Sequence, residues 1–91
     1  MTENPTDIIK IKVLSDISKE LDFAISKFRP FHSYHEGFAI IQEEFHELFM
    51  EIIKHKEATN KIRGSNDKNI KKEAIQLAAM TVRLIMDCCE V

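Results

Sequence analysis

The sequence predicts an all-α protein, an antiparallel helical bundle of three main helices per chain completed by oligomerisation. Three observations carry this expectation. Apolar residues recur three or four positions apart along most of the chain, the spacing of an amphipathic helix. Only two glycines and two prolines stand among 91 residues, which suits helices with short connections better than an all-β fold. A chain this short also hides only roughly 60 to 65 % of the surface its unfolded form exposes, so a lone copy is marginal.

The first helix spans Thr6 to about Lys27, where Ile8, Ile11, Leu14, Ile17, Leu21, Ala24 and Phe28 form one stripe. It stops at "FRPFHS", because Pro30 biases Arg29 away from helical geometry. Ser33 and Glu36 have capping-box spacing and predict a second helix from Tyr34 to about Ala58. Its apolar face is Phe38, Ile41, Phe45, Leu48 and Ile52. The stretch "TNKIRGSNDKN" has turn-forming residues without periodicity and reads as a loop, with Asn66 or Asp67 capping a third helix. That helix, with "AIQLAAMTVRLIMDCC" apolar nearly all round, is expected to be buried on most sides. Residues 1–91 make a single domain, of which 1–5 read as a loose amino terminus.

Net charge is −2 with 31 % charged residues, so no global field recommends a nucleic-acid polymer or an acidic membrane as partner. No apolar run reaches the ~20 residues of a membrane span. Adjacent Cys88 and Cys89 form neither an ordinary disulfide pair nor a zinc set, and no signal peptide is recognised, which points to a cytoplasmic home. His32, His35, His46 and His55 lack zinc-ligand spacing and read as surface or packing residues. Phe28, Phe31, Tyr34 and Phe38 could stack a base but read first as core, as do Met80, Met86 and the cysteines.

The acids of "QEEFHEL" carry the chemistry. Glu43, Glu44 and Glu47, with Glu51, share one side of the second helix, where their repulsion costs stability unless a cation offsets it. Glu73, Gln76, Arg83 and Asp87 form a polar stripe on the otherwise apolar third helix, and such groups need partners. If the two faces meet, Glu44, Glu47, Glu73 and Gln76 converge four oxygen donors, a set suited to Mg²⁺ or Mn²⁺. The competing expectation is an ion-pair network in which Arg83 and lysines neutralise the acids. Lys61, Arg63, Lys68, Lys71 and Lys72 lead into the third helix and offer charge for a phosphate.

"EEFHE" followed by "EAIQ" resembles the EExxE…ExxD signature of the MazG-like all-α nucleoside triphosphate pyrophosphohydrolases, and the similarity runs over roughly residues 31 to 88. The resemblance implies Mg²⁺-dependent cleavage between the α- and β-phosphates of a nucleoside triphosphate, giving a monophosphate and pyrophosphate. Glu44 and Glu47 match the metal-binding pair, Glu73 the first ligand of the second motif, and Glu43 a general base or outer-shell acid. It also implies a homodimer or homotetramer. Gln76 stands where the signature has aspartate, which removes one negative charge from the site. Arg83 and Lys72 are the expected phosphate contacts, and Asp87, grouped with them on the substrate side and too far along the stripe to replace Gln76 at the same ion, either holds a second ion or pairs with Arg83. The alternative is a catalytically weakened nucleotide- or metal-binding module, or a dimerising one.

Overall fold

The computed structural model describes residues 4–57 and 60–91, the side chains of 56–66 excepted. It is all-helical, with α1 at Pro5–Lys27, α2 at Tyr34–Glu57 and α3 at Asn60–Cys88. Among the described residues α3 packs against both α1 and α2, while α1 and α2 do not pack on each other. No helix of the described residues is long and apolar enough to cross a membrane.

Local chemistry explains the helix ends. Asn4 accepts from the Thr6 N–H at 2.8 Å, and Pro5 occupies the first turn, where its missing N–H has no partner to lose. The helix therefore starts inside the segment expected to be loose; residues 1–3 lie outside the described ones. Phe28 ends α1 in an extended conformation. The Ser33 hydroxyl accepts from the Glu36 N–H at 3.1 Å, so α2 has the expected cap. Glu36 turns back onto the His32 N–H at 3.2 Å and onto Arg29 through two 2.9 Å bonds.

Two expectations about α3 fail. Residues from Asn60 onward are helical, so "NKIRGSNDKN" is the first part of α3 and neither Asn66 nor Asp67 is a cap. The stretch has no proline, a single Gly64 costs only about 1 kcal/mol in a helix, and its polar composition is that of a solvated helix as much as of a loop. Nor is α3 buried on most sides. Of its described residues only Ala79 and Arg83 are buried, and Val82, Ile85 and Met86 are exposed.

The aromatic residues also depart from expectation: Phe28, Tyr34 and Phe38 are exposed, and only Phe31 is partly covered. Ala24 and Ala79 are the sole buried apolar residues among those described. Close approach between α2 and α3 occurs at Gly37, where a Cβ would lie 2.5 Å from Leu84 Cδ1 and 3.1 Å from Phe31 Cδ2. A side chain there would require the end of the Leu84 side chain, and to a lesser degree the Phe31 ring, to shift.

Candidate metal centre

The helix pair α2·α3 brings the acids together. One oxygen from each of Glu44, Glu47 and Glu73 lies within 4.8 Å of the others. Glu44 and Glu47 are one turn apart on α2, so both point to the same side, and Glu73 meets them from α3. Burial and charge act in the same direction on Glu44. Loss of water, then Glu47, Glu73, Glu20 and Glu43, push its carboxyl up to about 7. Glu73 is raised too, first by burial and then by a hydrogen bond and charge repulsion from Glu47, while Lys72 pulls the other way.

Glu44 Oε2 and Glu73 Oε2 are buried and have no hydrogen-bond partner. Buried carboxylate oxygens are ordinarily paired, because an unpaired one keeps the full cost of lost hydration. Two such orphans within a three-carboxylate cluster fit a hard divalent cation, whose ligands are oxygens. The expected neutralisation by Arg83 does not occur: its Nε donates to Asp87 at 3.1 Å. Lys54 instead pairs with Glu51 at 3.2 Å, a turn beyond Glu47.

Beside the cluster a cleft of about 640 Å³ opens between the helices, lined by Glu43, Glu44 and Gln76 on its polar side and by Phe23, Phe28 and Phe31 on its apolar side. Gln76 lies one turn beyond Glu73 and shares this cleft with Glu44. Glu20, from α1, is a cleft residue that sequence reasoning missed. Its only signal was an acid next to the apolar stripe of α1, and nothing local to that helix says which partner it meets. Glu20 also borders a second groove of about 500 Å³ lined by Lys19, Lys68, Lys71 and Lys72.

Lys72 is exposed on this groove, whereas Lys71 is drawn to Asp16 at 3.5 Å. These lysines stand along the body of α3, so the expected anion site at its amino terminus is not formed by Lys68, Lys71 and Lys72. Lys61 and Arg63 lie outside the described side chains.

Arg83 and Asp87 form a joint on the far side of the cleft. Arg83 is only 2 % exposed and donates to the carbonyls of Ala24 at 2.8 Å and Phe28 at 2.6 Å. Ala24 lies in the last turn of α1, where its carbonyl already accepts from the Phe28 N–H at 2.9 Å, and Phe28 is the residue that ends the helix, so Arg83 adds a second donor to the first carbonyl and supplies one to the other. Asp87 Oδ2 accepts both from Arg83 and from the Phe31 N–H, the latter at 2.9 Å. The pairing expected of Asp87 with Arg83 is therefore present, but three of the guanidinium donors are engaged inside the fold. The Arg83 guanidinium also stands 5.8 Å from the Phe31 ring centre.

No protein-family model, no curated protein and no solved structure matches the chain.

Proposed function

We propose that the chain is a MazG-like, Mg²⁺- or Mn²⁺-dependent nucleoside triphosphate pyrophosphohydrolase that clears free nucleotides in the cytoplasm as a homodimer or homotetramer. The observation that carries this reading is the convergence of Glu44, Glu47 and Glu73 with two buried, unpartnered oxygens. Those three carboxylates and the Gln76 amide oxygen would hold the cation. Such an ion neutralises phosphate charge and makes water more nucleophilic near neutral pH.

The remaining work falls to the chain's own groups. Glu43, at the rim of the cleft, accepts the proton as water adds to the α-phosphorus and the bond to the bridging oxygen of the β-phosphate breaks. The products are a monophosphate and pyrophosphate. Lys72, with Lys68, draws the triphosphate tail along the groove next to Glu20. Arg83 and Asp87 hold the end of α1 and thereby the aromatic wall of Phe28 and Phe31.

Purified protein incubated with a panel of nucleoside triphosphates and Mg²⁺ or Mn²⁺ is expected to release pyrophosphate from at least one. Glu47→Gln is expected to abolish that release while leaving the fold intact. No pyrophosphate from any triphosphate would overturn the reading, and full activity in Glu47→Gln would remove that residue from the mechanism.

A second reading, a nucleotide-binding module with little or no hydrolysis, is favoured by Gln76 and by the engagement of Arg83 within the fold. Calorimetry separates the two, since the module binds nucleotide and metal without turnover.

A further inference from the structure

Three helices build the cleft beside the carboxylates. On α1, Glu20, Phe23 and Ala24 stand three and four positions apart and share one face. Phe28 and Phe31 follow in the connection, where Arg83 holds the Phe28 carbonyl and Asp87 the Phe31 N–H, so both rings sit on a fixed backbone. Glu43 and Glu44 come from α2 and Gln76 from α3. Phe23 and Phe28 are 52 % and 65 % exposed, which leaves much of this aromatic surface in water.

The lining makes two demands on a guest. Three phenyl rings around about 640 Å³, the size of a small-molecule site, call for a flat apolar face. The polar side calls for donors. Glu20, Glu43 and Glu44 offer only lone pairs when ionised, and both guanidinium groups that border the cleft are engaged: Arg83 with Asp87 and two carbonyls, Arg29 with Glu36 through two 2.9 Å bonds. Among the described residues, the Gln76 amide is the side-chain donor of this lining that has no hydrogen-bond partner. A hydrocarbon guest would strip the carboxylates of water without replacing it, and a purely polar guest would leave the rings wet. A heterocycle whose edge carries N–H donors meets both demands.

We propose that this cleft is a nucleobase subsite that selects bases bearing an exocyclic amino group, cytosine and adenine, over their oxo counterparts, uracil and hypoxanthine, with Glu20 accepting from the amine. This selection rests on the proposed nucleotide chemistry and names the base it takes. Glu44 borders the cleft and also belongs to the carboxylate cluster, so one nucleotide can set its base among the rings and its phosphates at the cluster. An amino group turns two N–H donors toward a wall of carboxylates. A carbonyl in its place turns lone pairs toward them and finds only the Gln76 amide to accept from. A site built to hydrogen-bond one edge rejects the other because its own polar groups are then left unpaired. Glu20 lies outside the EExxE…ExxQ motif, so the choice of base falls to a residue of α1 that the motif does not contain.

NMR titration of the full chain with nucleosides in EDTA separates base recognition from the chemistry, because a nucleoside carries no phosphate and needs no metal. Cytidine and adenosine are expected to shift the signals of Phe23, Phe28 and Phe31 and to bind about tenfold more tightly than uridine and inosine, the worth of one hydrogen bond to a charged group. Glu20 is half-buried and makes no hydrogen bond among the described residues, so Glu20→Gln is expected to keep the fold. By placing a donor where only an acceptor stood, it should bring cytidine and uridine to equal affinity. Equal binding of cytidine and uridine by the wild-type chain overturns the proposal. So does an absence of binding, a set of shifts confined to other surfaces, or a Glu20→Gln variant that keeps the preference. Pyrophosphate release from the triphosphates is followed in parallel: amine selection without turnover overturns the chemistry alone, and turnover without selection overturns the base subsite alone.

Discussion

At Glu44, burial and four neighbouring acids favour a proton where an ordinary glutamate would be ionised. Its folded-state value of about 7 lies above the unfolded 4.5, so between those values the folded chain binds more protons than the unfolded one. The resulting stability is fully present below the unfolded value and is lost as pH rises through the folded one. In EDTA, thermal melts are expected to fall from about pH 5 to about pH 8. Glu44→Gln should flatten this dependence and gain on the order of 1 kcal/mol at the alkaline end, after discounting for solvent screening. A pH profile unchanged by Glu44→Gln would show that another group dominates. The glutamates themselves were legible in the sequence, because spacings of three and four on a helix are fixed by local geometry. Glu20 was not legible, since its approach to Glu44 depends on where α3 holds α1. The role of Arg83 was hidden for a related reason: backbone carbonyls at a helix end leave no mark in the side-chain pattern.

Among the elements, the weakest local logic sits between α1 and α2, and the Arg83–Asp87 joint compensates for it. A proline-bearing connection leaves the Phe28 carbonyl and the Phe31 N–H outside the helical ladder, and two residues of α3 bond to them and to the Ala24 carbonyl together. Removing Arg83 leaves the part-buried Asp87 carboxylate without its cationic partner and the Phe28 carbonyl without its donor. Arg83→Met is therefore expected to destabilise by about 3 kcal/mol, whereas Arg83→Lys, which keeps the charge but loses the planar fork, should fall between it and wild type. Denaturant unfolding checks the order; an Arg83→Met variant as stable as wild type would remove the joint from the stability of the fold. The three helices and the cap at Ser33 could be read from periodicity and turn chemistry. The first part of α3 could not, because Asn, Asp and Lys suit a solvated helix as well as a loop, and the contact of Asp67 with His55 at 3.5 Å, which joins it to α2, lies beyond sequence spacing.

For the molecule as a whole, the acidic cluster is a repulsion placed between two helices that must pack, so a cation bound there acts as a cross-link between α2 and α3. A ligand that binds only the folded state stabilises it by about 2.7 kcal/mol at a hundredfold excess over its dissociation constant. The size of the effect depends on pH with a definite sign. Because Glu44 takes up a proton at about 7 and below, a cation must displace that proton at acid pH and meets an ionised carboxylate at alkaline pH. Mg²⁺ or Mn²⁺ is therefore expected to raise the melting temperature by several degrees near pH 8 and by much less near pH 5.5, the reverse of the trend in EDTA. Glu47→Gln should remove most of the metal-induced gain and, because it relieves repulsion, melt higher than wild type in EDTA. Scanning calorimetry of both proteins at the two pH values, at one fixed chain concentration so that self-association does not vary, gives the answer. A melt indifferent to divalent ions at alkaline pH would leave the cluster a repulsive surface, and with it the proposed chemistry would lose its support.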